Sequence, residues 1–456
     1  MRLKRDRQLC FDWTTPTSRK IVNEYRDRCK RISDLLDANP KILDLAHGDL
    51  RRLCEARPGT KSKRSTYTSE NMLRAVIVHE LEGTSFRRSC VWIAESETLR
   101  NFCRLGKRDV PDYTFLNKCF NAIRPATWQR INAALAQYAT QQGRIDPSVI
   151  RTDTTVVEAN IHYPTDASLL WDGFRVLARL LREARAMVPF LVPHRFHDRK
   201  VKKLYLFITR YASSPSKRRK RAVKKALRTL IGQVRRVAGI AEKYSASPAL
   251  SVSIELKSIA VEIEGFVGTV WKVADVAERV HLRGEAVPGR EKVYSIFEQH
   301  VELIKRGKKS KPVEFGHKVV LAETREKFIT DYQVLRKQVA DSALTDDVVG
   351  RHEKQFGSAP DVLAADGGFW SGRERIATLR EKIGTVAIPK NVRDWATNIL
   401  PVWQRFRAGV EGTISVLKRA FRLMRCLYRG FSNFVSAVGL GVFCHNLVSL
   451  ADRGET

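Results

Sequence analysis

Residues 149–157 read Val-Ile-Arg-Thr-Asp-Thr-Thr-Val-Val. So β-branched a run favours a strand over a helix. It sets an acid, Asp153, in the middle of that strand, where a carboxylate is normally disfavoured. A second short apolar run, Val362-Leu-Ala-Ala, ends in Asp366 and a Gly-Gly turn. Between them, residues 171–290 carry helical spacing and dense charge with no strand-like alternation. From Lys292 the strands resume. Lys311–Ala322 and Phe328–Leu335 suit a hairpin, and Asp346–Phe356 suits a helix despite Gly350. A helix at Arg373–Lys382 and a strand at Thr385–Pro389 follow. This order of strand, helical block, hairpin, helix, strand and helix suits an α/β core of mixed sheet interrupted by a helical insertion.

The stretch Arg407–Lys418 then places a third acid. On a helix, at ~100° per residue, Arg407, Glu411 and Lys418 share one face. Val410, Ile414, Leu417 and Phe421 form a separate apolar stripe. Two strand-associated aspartates and a helical glutamate are the residue types of an oxygen-ligand site for Mg²⁺. Each acid also has a plainer reading. Asp366 before Gly-Gly suits an ordinary turn, and Arg407–Glu411 suits an i,i+4 surface pair worth a few tenths of a kcal/mol. A turn or cap role for Asp153 is opposed by its apolar strand. Glu158, Asp166 and Glu374 are nearby acids that such a search has to separate from ligands, and His162 and His317 read as structural histidines.

The charge balance names a partner class. The chain has 456 residues, with 82 Lys and Arg against 49 Asp and Glu, a net charge of +33. That excess calls for a polyanion, nucleic acid before a membrane surface. No apolar stretch of about 18 residues is free of charge, so no transmembrane helix and no membrane partner are expected. Phe431–Leu450 comes nearest and reads as a core helix. The start, Met1-Arg-Leu-Lys-Arg-Asp, lacks a signal peptide's apolar segment. Eight cysteines (Cys10, Cys29, Cys54, Cys90, Cys103, Cys119, Cys426, Cys444) include no Cys-x2-Cys pair. They suit reduced thiols in a cytoplasm rather than a zinc site.

Residues 1–145 read as basic helices. Ile21–Leu36 is the first, and Pro58–Arg64 reads as a linker. Thr68 or Ser69 caps the next helix, a turn at Gly83 leads to another, and helices start at Asp112 and Pro125. Short helices joined by turns suit either a helix-turn-helix-like DNA-binding bundle or a packing domain. Two basic clusters mark the insertion. One runs from His194 to Lys203 and includes Arg195. The other is Lys217, Arg218, Arg219, Lys220 and Arg221, followed by Lys224, Lys225 and Arg228. Interleaved with Phe196, Tyr205 and Phe207, they suit phosphate contact.

With these residues in place, the chain resembles the DDE transposases of bacterial insertion sequences, whose catalytic core is RNase H-like. Asp153, Asp366 and Glu411 match the family's triad. Arg407, Glu411 and Lys418 match its Tyr-x2-Arg-x3-Glu-x6-Lys signature, with Gln404 standing where the Tyr would be. Thr152–Asp166, Pro312–Lys318, Arg425–Gly430 and His445–Leu447 resemble the ISNCY-type group. The resemblance implies an N-terminal helical DNA-binding domain (1–145) and the first part of an RNase H-like core (146–170). A basic helical insertion (171–290) and the remainder of the core (291–456) follow. It also implies two Mg²⁺ or Mn²⁺ ions on Asp153, Asp366 and Glu411. Arg407 and Lys418 are then expected on the DNA backbone. The implied partner is double-stranded DNA, both terminal inverted repeats and target, bound by a homodimer in a bacterial cytoplasm at the nucleoid. A nucleic-acid-binding remnant without catalysis and a nuclease of the same fold are the other readings.

Overall fold

The computed structural model describes residues 3–5, 17–54, 66–247, 250, 253–305, 312–390 and 401–453. The linker expected at Pro58–Arg64 and the position of Cys10 lie outside the described residues. The chain forms two compact units, 1–160 with 316–456, and 161–315.

The first unit begins with helices α1 (Lys20–Ala38), α2 (Pro40–Leu50), α3 (Ser69–Leu81), α4 (Phe86–Glu95), α5 (Glu97–Phe102), α6 (Tyr113–Ala122) and α7 (Pro125–Gln141). Their starts follow from local chemistry. Thr68 is the cap of α3: its hydroxyl accepts from the Asn71 amide at 3.1 Å, and the Asn71 side chain accepts from the Thr68 amide at 2.9 Å. Ser85 and Asp112 cap α4 and α6 without a reciprocal bond, accepting from the Arg88 and Thr114 amides. Proline opens α2 and α7, where its missing N–H has no helical partner to lose. The short helix α5 was not foreseen, because six residues carry too little periodicity to stand out.

The sheet of this unit is mixed. β1 (Val149–Ala159) pairs antiparallel with β3 (Val313–Thr324) and parallel with β5 (Val362–Ala364). β4 (Ile329–Val334) completes the expected hairpin with β3. β6 (Thr385–Ala387) adds parallel to β5, and β7 (Arg425–Cys426) adds parallel to the end of β1. At Gly316 the two backbones approach so closely that any Cβ would collide with the Val157 carbonyl. Helices α12 (Thr345–Phe356) and α13 (Arg373–Lys382) alternate with the short parallel strands.

Two helices close the unit, α14 (Pro401–Ala420) and α15 (Phe431–Ala451). Among the described residues, α15 is the one helix long and apolar enough to cross a membrane. It is the core helix of this unit, packed against α1, α3, α7 and β4. Its polar groups are satisfied inside: Asn446 grips both the N–H and the C=O of Ile329, at 2.9 and 2.8 Å. The N-terminal helices therefore pack on α15, with Asn132 of α7 donating to its Gly439 carbonyl at 3.0 Å.

The second unit is helical, as expected of the stretch between β1 and β3. It contains α8 (Asp166–Met187), α9 (Asp198–Tyr211), α10 (Lys217–Ser245) and α11 (Ile254–Glu278), and the short strand β2 (Glu302–Lys305). Leu170, Leu177, Leu230, Val234, Ile263 and Val270 are among the residues of its own apolar core. Gly173 lets α11 come close, since a Cβ there would lie 3.0 Å from Val270. Its ion pairs hold expected decoys: Asp166 bonds His281 at 2.6 Å, and His162 bonds Asp172 at 3.1 Å. Residues 161–170 belong to this unit, and the strands of the first unit resume at Gly316.

Candidate active site

The register of the sheet brings the two aspartates together. Arg151 of β1 lies opposite Ala364 of β5, in parallel. Asp153, within β1, and Asp366, just past the end of β5, each stand two residues further along, so they lie side by side. Asp153 remains within β1, opposite Leu321, and its Oδ1 accepts from the Thr154 amide at 2.7 Å. Asp366 does cap a turn, accepting from the Gly368 amide at 2.9 Å. Its other oxygen faces a cation.

That cation is Arg407. Helix α14 packs across β1 and β5 and buries Val410, Thr413 and Leu417. Ile414, expected in the buried stripe, is only half-buried, and Thr413 takes its place because its hydroxyl finds Glu323 at 2.9 Å. Arg407 Nη2 lies 3.5 Å from Asp153 Oδ2 and 3.6 Å from Asp366 Oδ2, while Nη1 lies 3.3 Å from Glu411 Oε1. Three carboxylates from two strands and a helix thus converge on one guanidinium. Lys418 stands two turns further along α14, half-buried, and Gln404 is exposed on the same helix.

The electrostatics follow from the crowding. Burial pushes the Asp153 carboxyl up to about 6. The nearby carboxylates of Asp366 and Asp341 push the same way, against the Thr154 amide and Arg407. Asp341 was not foreseen. It sits in a short turn with no pattern to mark it, accepts from the Thr154 hydroxyl at 3.3 Å and pairs with Lys318 at 2.9 Å. The other nearby acids have structural partners or places: Glu158 pairs with Arg425 at 3.0 Å, and Glu374 occupies the first turn of α13. His317 is buried, with Nδ1 on the Leu335 carbonyl at 2.9 Å.

Hard carboxylate oxygens that already share a cation fit Mg²⁺ or Mn²⁺ by donor chemistry. Among the described residues, no three His, Cys, Asp or Glu side chains are yet drawn into one coordination shell. The Arg407 guanidinium lies between them, and the Glu411 side chain is 67% exposed. The predicted phosphate-binding residues belong to the second unit. Arg195 is exposed ahead of α9, and Lys217–Arg221 form the exposed first turn of α10.

Two family models match the chain. Residues 297–447 match a Transposase DDE domain, and residues 18–122 match a Transposase domain (DUF772), together more than half of the chain. No curated protein and no solved structure matches it. The first match contains Asp366, Arg407 and Glu411. Asp153 falls between the two matched segments, and the ISNCY-type likeness rests on the motifs quoted above. Members of this family cut DNA and transfer strands, and generally use divalent metal ions. The two matched domains, on a mixed α/β core, identify the chain as a member of the DDE transposases of insertion sequences.

Proposed function

We propose that Asp153, Asp366 and Glu411 are the catalytic acids of this transposase and hold its divalent ions, two Mg²⁺ or Mn²⁺. The observation that carries the reading is the convergence of all three carboxylates on Arg407. Ions held there would activate a water or the DNA 3′-hydroxyl for attack and stabilise the leaving oxygen. Asp153, the most buried of the three, would hold the ions together with Asp366 and Glu411. Arg407 would contact the phosphate of the scissile strand or orient Glu411, and Lys418 would contact the backbone further along α14. The substrates are the element's terminal inverted repeats and target DNA, acted on at the bacterial nucleoid by a homodimer assembled on the DNA. With Mg²⁺ or Mn²⁺ the protein is expected to cut a duplex carrying an element end. Ca²⁺, with looser coordination, should support cutting poorly. Full activity of Glu411→Gln in Mg²⁺ would overturn the assignment.

The basic helix α10 supports a second part of the proposal, sequence-independent phosphate binding by the insertion. Lys217, Arg218, Arg219, Lys220 and Arg221 crowd a helix N-terminus, where the dipole disfavours cations. Among the described residues, none of the five has a carboxylate partner; Arg219 lies over the Tyr211 ring at 4.9 Å. A polyanion offsets both the repulsion and the dipole. Neutralising all five should weaken binding to unrelated duplexes alike. It should also reduce the slope of log affinity against log salt by up to about 4.5, at about 0.9 per lost phosphate contact. An unchanged slope would leave this cluster a solvated face.

A further inference from the structure

We infer that Arg151 and Glu323 are positioning residues for the reaction, a buried clamp that fixes the Arg407–Glu411 turn of α14 against the strand that carries Asp153. The inference rests on the assignment of Arg407 and Glu411 to the site. Arg151 stands two residues before Asp153 on the same face of β1, and both it and Glu323 of β3 are buried. They are register partners in the antiparallel pair and form an ion pair through Nη2 and Oε1. Burying such a pair is costly unless further hydrogen bonds offset it; Arg151 Nε and Glu323 Oε2 make none, and the further bonds of both residues go to α14.

Each member makes its further bond to the same helix, on either side of the same turn. Arg151 Nη1 donates to the Phe406 carbonyl at 2.6 Å, one residue before Arg407, and its guanidinium lies 4.9 Å from the Phe406 ring centroid. Glu323 Oε1 accepts from the Thr413 hydroxyl at 2.9 Å, two residues after Glu411. The helix is thus pinned at both ends of a segment roughly 10 Å long, which holds the cation and the acid of the site. Gly409, between them, explains an odd feature of the sequence, a glycine inside the signature helix. Any Cβ at 409 would collide with the Arg151 guanidinium. The glycine weakens the helix and is the opening through which the clamp reaches it.

Two variants test the clamp. Arg151→Met combined with Glu323→Gln removes both charges together, so that neither is left buried alone. Gly409→Ala keeps both charges and displaces the guanidinium, and it decides the matter if the double variant fails to fold. In each, the single-turnover cleavage rate at saturating DNA should fall by about 10- to 100-fold, as small misplacements of reacting groups do. DNA affinity should stay near wild type. In the metal-free protein without DNA, amides of residues 401–420 should exchange faster than wild type while those of the second unit keep their rates. Wild-type exchange in 401–420, or a wild-type rate at saturating DNA in Gly409→Ala, would overturn the inference. Loss of cleavage in Glu411→Gln tests the site assignment separately, and the exchange measurement reads the clamp whichever way that falls.

Discussion

Asp153→Asn is expected to reduce DNA cleavage by on the order of 1,000-fold or more, the scale on which removing one element of transition-state charge stabilisation acts. The substitution removes one negative charge and keeps the shape. The Asn carbonyl oxygen can still accept from the Thr154 amide, as Asp153 Oδ1 does at 2.7 Å. Arg407 keeps Asp366 and Glu411 as partners. Folding should therefore survive, and the metal-free variant should gain rather than lose stability near neutral pH. Burial raises the Asp153 carboxyl to about 6, above its unfolded value. A raised carboxyl contributes stability that is present at low pH and lost as pH rises through about 6, and Asn escapes that loss. DNA affinity, carried by many phosphate contacts in a chain of net charge +33, should change little. The measurement pairs cleavage of an end-bearing duplex with a melting curve at pH 7.5. A folded Asp153→Asn protein that cuts near the wild-type rate would remove Asp153 from the site.

How far the sequence reveals this site depends on which interactions are local. The β-branched run around Asp153, the Gly-Gly after Asp366 and the helical phase of Arg407, Glu411 and Lys418 are all short-range patterns, and the elements they predict are present. The capping of α3 by Thr68 is legible for the same reason: its box closes within four residues. What joins the acids is register. That Asp153 and Asp366 emerge side by side follows from Arg151 lying opposite Ala364, across more than two hundred residues of chain. No spacing encodes that, and a one-residue slip would send one of the two to the other face. Asp341 escaped notice because it lies in a turn without periodicity, and its role near Asp153 depends on Lys318 and Thr154 from two different strands. Arg151 carried a signal that can be used elsewhere, a guanidinium in the middle of an apolar strand run, which demands a buried partner. The placement of residues 161–170 with the helical unit was equally hidden, since Thr165 is both the end of a strand connection and the cap of α8.

The cation at the centre of the site gives the sharpest remaining test. Arg407→Gln is expected to tighten divalent-ion binding while lowering cleavage by about 100-fold, since a scissile strand or a Glu411 left unplaced by about 1 Å costs that much. The two effects run in opposite directions for one reason. In the metal-free protein Arg407 neutralises Asp153, Asp366 and Glu411 at 3.3 to 3.6 Å, so an incoming ion has to displace a charge already in place. With glutamine there, the three carboxylates repel one another with no fixed cation between them, and an ion meets no competitor. Relief of ~1.4 kcal/mol of competition tightens binding roughly tenfold. The metal-free variant should melt below wild type, and Mg²⁺ should raise its melting temperature by more than it raises that of wild type, as ligand linkage requires of a tighter site. Manganese titration followed by its paramagnetic signal, with melting curves in the presence and absence of Mg²⁺, reads both quantities without DNA. If Arg407→Gln binds Mn²⁺ no more tightly than wild type and gains no larger shift from Mg²⁺, the guanidinium does not occupy the ions' place. Arg407 would then hold Asp153, Asp366 and Glu411 as a salt-bridge partner without competing with an ion.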